Sequence, residues 1–372
     1  MNTKFDFKFG DGIAYFGELR IFLSPVNYFL YGIYHNSQNK SGEELIKKFK
    51  KYSETDSKLI YDFLEKKYNY KHKKLMLIDF LDIINSFGFG KLNLVGNVNL
   101  NKLVINLNRC HMGNLYKKFF NESCDFLIEE ILAGFVENFL SCLYGKKVSS
   151  KFSVNGASLS LECFISDEDY IFKNDRKYFS EKKKFTISNW LKSFIFSKKI
   201  GPNENGTFAL GHIYAVCMPW FFGIDYLLDL IKGDMEFRDN LAKMEGGILV
   251  KFNSKKISSS PNVIMNKILM NFGAAALGKF NVINLKNGIF EMSSDFDTHF
   301  GRFYSKDDLF LLKRNVAMIV CGAYEFAYDV NVSFEFDGKI LILTKVSKGR
   351  KLNSVESEIS KNLTVRNFMF KI

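Results

Sequence analysis

The sequence predicts an α+β fold made of two tandem copies of one domain, each an antiparallel sheet packed with helices. Three observations lead to this prediction. A helix-plus-hairpin pattern at residues 126–164 occurs again at residues 309–346. Each half of the chain also contains an earlier hairpin pattern, and strands joined by tight turns pair antiparallel. Finally, 372 residues are enough for two domains that each bury their own core.

The first helix-plus-hairpin pattern has clear start and stop signals. Apolar residues recur at three- and four-residue steps from Ile128 to Cys142, which places them on one face of a helix. Gly145 follows as a helix-ending residue, and the lysine pair after it suits the negative end of the helix dipole. Asn155-Gly156 is a strong signal for a hairpin turn, so two strands are expected around it.

The second half of the chain repeats the first at a spacing that changes in two steps. The matching segments are residues 17–25 with 211–219, 90–94 with 278–282, and 148–161 with 330–343. Their offsets are 194, 188 and 182 residues. Three matches in the same order indicate a tandem duplication in which copy two has lost short pieces from two connections.

Copy one begins with a strand pattern and continues with helices. Residues 13–22 predict a strand that leads into a first helix, which Pro25 interrupts. Further elements are helices at residues 41–52, 54–68 and 73–85 and a hairpin of strands at 91–95 and 102–107. The apolar face predicted for the helix at 73–85 consists of Leu75, Ile78, Leu81 and Ile84.

Copy two follows the same plan. Its predicted elements are a strand at residues 208–217 before Pro219, helices at 220–231, 235–244 and 264–271, and strands at 279–285 and 288–293. The duplication gives the domain boundaries: copy one at residues 1–166, a charged linker at 167–185, copy two at 186–347, and a C-terminal tail at 348–372.

Composition bounds the possible partners and compartment. The formal charge of +12 would suit nucleic acid or anionic lipid, but the lysines are dispersed among acidic residues and no nucleic-acid-binding motif is present, so nucleic acid is not favoured. Six cysteines without paired spacing and an N-terminus without the apolar core of a signal peptide predict a cytoplasmic protein with reduced thiols. The most apolar long window, residues 212–231, contains Asp225 and Asp229, so no transmembrane segment is predicted.

Two groups of residues have the chemistry of metal ligands. One consists of Cys110, His111, Cys124 and Cys163, and the other of Asp295, Asp297 and His299. Buried thiols explain the first group, and a solvated loop explains the second. No grouping of Ser, His and acid offers a nucleophile, and no phosphate-binding loop is present in the sequence. We therefore expect no catalytic residue, metal or cofactor.

A candidate ligand pocket lies near the start of copy two. Its residues are His212, Tyr214, Trp220 and Phe221. Three aromatic rings with one polar group match the usual lining of a pocket for an apolar or aromatic molecule. The alternative is that Trp220 and its neighbours pack the core of copy two.

The order of these motifs resembles the 4-vinyl reductase domain family. The shared features are a Gly-x-Leu/Ile start followed by Pro, a Gly-rich break before the first hairpin, a long helix with Ala133-Gly134, and a final hairpin centred on Gly. The resemblance covers about residues 5–346. Copy one matches better, because Asn315-Val316 replace the Ala-Gly pair in copy two.

The resemblance implies a small ligand-binding α+β domain. Such domains are found in bacterial sensors of aromatic compounds and in proteins linked to bacteriochlorophyll synthesis, and they are related in fold to subunits of the vesicle-tethering complex TRAPP. Several members hold zinc with cysteines around the final hairpin. The corresponding residues here are Phe152, Ser160, Phe334 and Ile342, so the tetrahedral set that zinc requires is missing from both hairpins.

The sequence thus predicts a non-enzymatic module that binds or senses a small apolar or aromatic ligand and acts through a protein partner. One alternative is an interaction scaffold resembling TRAPP subunits, and another, suggested by the family name alone, is a protein related to tetrapyrrole vinyl reductases. A sensor predicts an enclosed apolar cavity in at least one copy. A scaffold predicts filled cores and an exposed apolar patch.

Overall fold

The computed structural model describes residues 7–10, 13–17, 19–68, 70, 72–88, 90–99, 102–120, 127–155, 158–173, 176, 200–202, 208–210, 213–254, 260–274, 278, 280–293 and 295–361. Over these ranges the fold is α+β with three antiparallel sheets, which confirms the α+β part of the prediction. Two compact units are present, one built mainly from residues 15–173 and 208–226 and the other mainly from residues 227–361. Within the described ranges, each helix is too short or too polar to cross a bilayer.

A six-stranded sheet contains strands from both halves of the sequence. Its order is β1 (Phe7–Gly10), β2 (Ile13–Phe16), β3 (Leu19–Pro25), β10 (Ile213–Pro219), β9 (Phe208–Leu210) and β8 (Ile200–Pro202). At its centre Leu23 of β3 lies opposite Cys217 of β10. These residues are 194 positions apart, which is the offset between the repeats in this part of the sequence. The pairing is therefore locally two-fold symmetric, since each repeat contributes the same positions.

The first unit combines a helix layer with a four-stranded sheet. Its helices are α1 (Val26–Asn39), α2 (Gly42–Lys67), α3 (Lys73–Ser86), α4 (His111–Phe120) and α5 (Leu127–Tyr144). Its sheet has the order β4 (Lys91–Asn99), β5 (Lys102–Arg109), β7 (Ser158–Asp169) and β6 (Lys146–Asn155). Gly145 ends α5 with a φ of 68°, a backbone conformation that glycine adopts without strain. The predicted turn residue Gly156 lies outside the described residues.

The second unit has a similar arrangement of elements. Helix α6 (Trp220–Gly233) precedes the helices of this unit. These are α7 (Met235–Ser254), α8 (Pro261–Ala274), α9 (Asp295–Phe300), α10 (Lys306–Tyr328) and α11 (Ser354–Lys361). Its sheet has the order β11 (Phe280–Asn284), β12 (Ile289–Met292), β14 (Ile340–Lys348) and β13 (Val330–Phe336). The predicted second helix-plus-hairpin is therefore present, with Gly338 at φ 95° in the turn.

The two four-stranded sheets share their strand order and their register. Phe152 of β6 lies opposite Leu161 of β7. Phe334 of β13 lies opposite Leu343 of β14, and both residues stand 182 positions after their counterparts. The hairpin alignment made from the sequence therefore coincides with the hydrogen-bonded ladders.

In each unit the two longest helices cross at glycine residues. Where α2 meets α5, a Cβ atom added to Gly134 would lie 3.1 Å from the Cα of Lys50. Where α7 meets α10, a Cβ atom on Gly322 would lie 1.9 Å from the carbonyl oxygen of Lys243, and one on Gly246 would lie 2.1 Å from that of Ile319. Because real Cβ atoms do not approach a carbonyl oxygen this closely, the α7–α10 crossing requires glycine on both helices.

A buried glutamate joins each helix pair to the neighbouring sheet. In the first unit, Glu137 of α5 accepts hydrogen bonds from Lys50 Nζ at 2.9 Å and from the backbone N–H of Ser150 at 2.7 Å. In the second unit, Glu325 of α10 accepts from Lys243 Nζ at 3.3 Å and from the N–H of Val332 at 3.2 Å. Each carboxylate thus fixes two helices and a strand through charge-assisted hydrogen bonds.

Two helices are longer than predicted, for different reasons. The predicted helices 41–52 and 54–68 form the single helix α2, because the polar residues at the expected break are buried with partners. Ser53 Oγ, for example, accepts a hydrogen bond from Asn138 Nδ2 at 3.0 Å. Helix α7 continues ten residues beyond the predicted end at Met244, because Gly246 serves the helix crossing and does not end the helix.

Other predicted elements need smaller corrections. Strands β2 and β3 occupy the stretch where a strand and the start of a helix were predicted. The expected loop around Asp297 is the short helix α9, and Asp297 pairs with Lys313 at 2.6 Å. On α3, Leu81 and Ile84 are buried as predicted, but Leu75 and Ile78 are 50% and 37% exposed.

Helix α7 also carries two buried charged residues. Arg238 and Glu245 are 1% and 2% exposed and lie seven residues apart, which places them on one side of the helix. Neither carboxylate oxygen of Glu245 has a hydrogen-bond partner among the described residues. Burial raises the pKa of Glu245 to about 8, and the positive charge of Arg238 opposes this shift. In the folded chain Glu245 is therefore mainly protonated at neutral pH.

We expect Gly322→Ala to lower the free energy of unfolding by about 2 kcal/mol or more, because the added methyl group forces α7 and α10 apart. Gly42→Ala is the matched control: a Cβ atom there meets nothing within 4 Å, so the change should be neutral or slightly stabilising. Urea unfolding followed by circular dichroism measures both. Equal stability of the two variants would contradict the role assigned to Gly322.

We expect stability to fall with rising pH through Glu245. Its folded pKa of about 8 exceeds the ordinary value of 4.5, so its contribution is fully present below pH 4.5 and is lost as the pH rises to 8. Relative to Glu245→Gln, the wild-type free energy of unfolding should fall by up to about 1.4 kcal/mol per pH unit across this window. If the free energy of unfolding of wild type and of Glu245→Gln changed equally with pH, the pKa shift assigned to Glu245 would be wrong.

Candidate interaction surface

The predicted ligand-binding residues are only partly within the described structure. His212 lies outside the described residues. Tyr214 belongs to β10, where it pairs with Ala209 of β9. Trp220 and Phe221 open helix α6, and both are fully buried.

The environment of Trp220 is closely packed. The guanidinium carbon of Arg20 lies 4.1 Å from the centre of the Trp220 ring, and the Phe221 ring meets it edge-on with 5.0 Å between centroids. A Cβ atom added to Gly223 would lie 2.7 Å from a ring carbon of Phe22. These contacts occur within the first unit. They show Trp220 and Phe221 acting as core residues where the structure describes them.

A buried carboxylate holds the start of α6 in place. Asp56 of α2 is 1% exposed, and its Oδ2 accepts the backbone N–H of Phe222 at 2.6 Å. The first N–H groups of a helix lack partners within the helix, and its N-terminus attracts negative charge. Asp56 therefore satisfies a helix end inside the core. This explains a buried acid in the middle of α2.

The two groups with the chemistry of metal ligands are only partly described, because the side chains of His111, Asp295 and His299 lie outside the described structure. Among the described residues, no group of three or more His, Cys, Asp or Glu side chains is placed to hold an ion. Cys110 is buried and accepts the N–H of Gly113 at 3.3 Å. Burial raises the pKa of the Cys163 thiol to about 12, so this sulfur is a poor metal ligand. Cys124 lies outside the described residues.

The second unit presents an apolar surface on the outer side of its sheet. Along β14, Leu341 and Leu343 are buried against the helices. Ile340 and Ile342 alternate with them and face the other way, and Ile342 is 37% exposed. Apolar side chains thus line both faces of this strand.

Neighbouring strands extend this surface. Ile289 of β12 lies directly opposite Ile342, and its side chain is half-buried. On the other flank, Glu335 of β13 also lies opposite Ile342 and is exposed. Ile289, Ile340 and Ile342 form one patch, which we call the isoleucine face.

Acidic groups border the isoleucine face on two sides. Glu335 lies on the β13 side. Glu291 lies opposite Ile340 and pairs with Lys339 at 2.9 Å. The border therefore carries one ion pair and one further carboxylate beside three isoleucines.

The equivalent positions in the first unit carry polar side chains, of which Ser160 is 9% exposed and Asn106 half-buried. Ser160 stands 182 positions before Ile342, and Asn106 lies opposite Ser160 just as Ile289 lies opposite Ile342. Ser160 Oγ hydrogen-bonds to Asn106 Oδ1 at 2.7 Å. A hydrogen-bonded polar pair in one unit thus corresponds to an apolar pair in the other. Since the strands and register match, the two units differ here in their side chains and not in the strand pairing.

Sequence reasoning missed the isoleucine face although the signal was present. The run from Ile340 to Leu343 was matched to the first copy only through its two leucines. The same alignment sets Ile342 against Ser160. A comparison of the outward positions of the two hairpins would have revealed the exchange.

Comparison of the chain with models of protein families gives no match, and comparison with curated proteins gives none either.

We expect Trp220→Ala to lower the free energy of unfolding by about 3–5 kcal/mol, because removal of a fully buried indole leaves a large cavity. Ile171→Ala is the control in the same unit: its side chain is 71% exposed, so a change within about 0.5 kcal/mol is expected. Urea unfolding of both variants measures the difference. A Trp220→Ala protein as stable as the control would indicate that Trp220 lines an open pocket.

Proposed function

We propose that this protein is a non-enzymatic interaction scaffold that holds a partner protein on the isoleucine face of its second unit. The observation that carries the proposal is the directly opposed pair Ile289 and Ile342 on an outward sheet face, where the first unit has Ser160 and Asn106. Folding does not require the exchange, because the first unit builds the same ladder with polar residues there. Exposed apolar patches of this kind mark binding surfaces.

The apolar area of the isoleucine face is too small to bind a partner tightly by itself. Covering a fully exposed isoleucine contributes about 1.5–3 kcal/mol, and the three isoleucines here are already half covered. The face alone thus supplies a few kcal/mol, which must be supplemented by polar contacts at its border. Binding is therefore expected to depend on the charges beside the isoleucines as well as on the isoleucines.

The occupant we propose is an amphipathic helix of another protein, with basic residues beside its apolar stripe. The inner face of the same sheet already packs against helix α10, so its twist accommodates a helix. Glu335 borders the face and favours lysine or arginine on the partner, whereas Glu291 is already paired with Lys339. A helix with isoleucine or leucine at three- and four-residue steps would cover the row from Ile342 to Ile289.

The domain relationship behind this function is also a proposal. We infer that the chain is a tandem of domains resembling the 4-vinyl reductase family, whose fold is related to TRAPP subunits. The common strand order of the two four-stranded sheets, the common hairpin register and the two-fold pairing of β3 with β10 support the duplication. The relationship to TRAPP subunits is consistent with a scaffold.

Ligand sensing remains a prediction. It rests on His212, Tyr214, Trp220 and Phe221, two of which are fully buried among close neighbours. Native mass spectrometry of protein purified without added ligand tests it directly. A small apolar molecule in stoichiometric amount would restore sensing as the first choice, whereas a bare chain would leave the scaffold in that place.

We expect Ile342→Glu to abolish partner binding, because a carboxylate in the centre of the face adds charge that a bound apolar stripe must bury. Ile171→Glu makes the same chemical change at a 71% exposed position of the first unit. Both variants should fold with the wild-type melting temperature. Tagged wild type and both variants are used to capture proteins from the source cells, followed by cross-linking and quantitative mass spectrometry.

The scaffold proposal requires a protein that wild type and Ile171→Glu retain, that Ile342→Glu loses, and that cross-links to Lys339 beside the isoleucine face. Equal capture by all three baits, or cross-links confined to the first unit, would overturn it.

A further inference from the structure

The junction of α2 and α3 concentrates positive charge in the first unit. Lys66 and Lys67 end α2, and Lys73 and Lys74 begin α3; all four are exposed, and we call them the lysine corner. Residues 66–78 contain five lysines and one histidine but no acidic residue. The fifth lysine, Lys71, lies outside the described residues. Although lysines are dispersed along the chain as a whole, here the fold gathers them.

Aromatic rings support two of these lysines. Lys67 Nζ lies 5.0 Å from the centre of the Phe63 ring, and Lys73 Nζ lies 4.8 Å from that of Tyr144. Such contacts are favourable for a cation and leave the rest of the ammonium group exposed to water. The charges are thus displayed at the corner while their stems cover apolar surface.

The helix dipole stabilises the two lysines at the end of α2 but not the two at the start of α3. Lys66 and Lys67 lie in the last turn of α2, where the helix dipole favours cations. Lys73 and Lys74 lie in the first turn of α3, where the dipole disfavours them, and this turn contains no acidic residue. The nearest acid along α3, Asp79, is buried and accepts a hydrogen bond from Tyr70. The second pair of lysines therefore opposes the local electrostatics of its own helix.

Exposed apolar side chains continue directly from the lysine corner. Leu75 and Ile78 lie one helical turn apart on α3 and are 50% and 37% exposed. Sequence periodicity placed both on the apolar face of the helix, yet the buried face is formed by their neighbours Leu77 and Phe80 together with Leu81 and Ile84. One end of α3 thus presents two large aliphatic side chains beside four lysines.

We propose that the lysine corner and the adjacent pair Leu75 and Ile78 dock this protein on membranes rich in anionic phospholipid. The lysines match the negative surface of such a bilayer, and the two aliphatic side chains can enter the boundary between headgroups and acyl chains. A nucleic-acid phosphate backbone would match the charge but gives no use for Leu75 and Ile78, so the bilayer is the favoured source of the negative charge. This proposal is independent of the isoleucine face.

Vesicle co-sedimentation of the full chain tests the proposal. Vesicles of phosphatidylcholine alone are compared with vesicles containing about 30% phosphatidylserine, at about 0.1 M and about 0.5 M salt. Wild type should bind only the anionic vesicles, and the binding should weaken with salt. Each lysine near the surface contributes about fivefold to the partition coefficient, so a variant with Lys66, Lys67, Lys73 and Lys74 all changed to Glu should lose more than about 100-fold.

Two further variants make the test specific. Changing Lys306, Lys345, Lys348 and Lys351 to Glu alters the net charge equally at exposed sites of the second unit, and this variant should lose less than about tenfold. Leu75→Ser with Ile78→Ser keeps the charge and should lose about tenfold or more. Circular dichroism confirms that each variant folds.

Three results would overturn the proposal. The first is a wild-type protein that does not sediment with phosphatidylserine vesicles. Equal losses in the two lysine variants would indicate binding by overall charge. Full binding by the Leu75 and Ile78 variant, with competition by single-stranded RNA, would assign the lysine corner to nucleic acid.

Discussion

Close contact between two long helices in each unit is the constraint on which the rest of the structure depends. In the second unit Gly246 and Gly322 let the backbones of α7 and α10 touch, and side chains of any size would separate them. That contact brings Lys243 of α7 within reach of Glu325 of α10, which also accepts the N–H of Val332. The sheet is thus held to the helix pair by a carboxylate whose position depends on the glycines.

Signals from neighbouring residues correctly predicted helix ends, hairpin turns and the hairpin register. Gly145 and Gly338 take positive φ where the helix and hairpin end, and the offset of 182 residues reproduced the ladder register. Tertiary contacts decided the rest. Ser53 lies where the sequence predicted a helix break, but its partner Asn138 lies far away in the chain. Gly246 resembles a helix end, but it is needed for a helix crossing. Neither partner can be inferred from the neighbouring residues.

For the candidate site, too, the sequence predicted local grouping but not tertiary contacts. Sequence spacing identified Trp220 and Phe221 as a group, and the structure places them together at the start of α6. It could not distinguish a pocket lining from a packed core, because that depends on what fills the space opposite, here Arg20 and Phe22. Likewise, the apolar run from Ile340 to Leu343 gives β14 apolar side chains on both of its faces. Which face a helix covers is a property of the assembled unit.

The position of Ile342 within its sheet limits the contacts that its exposed side chain can make. Ile342 lies on an inner strand of its sheet, between β12 and β13, so its backbone groups are already paired and cannot recruit another strand edge. Only side-chain contact is open to it, and the exposed carboxylate of Glu335 next to it disfavours packing against another apolar face that lacks a cation. The first unit has Ser160 and Asn106 at the same ladder positions. The isoleucines are therefore not required by the strand pairing itself, because the same pairing forms with polar residues in the first unit.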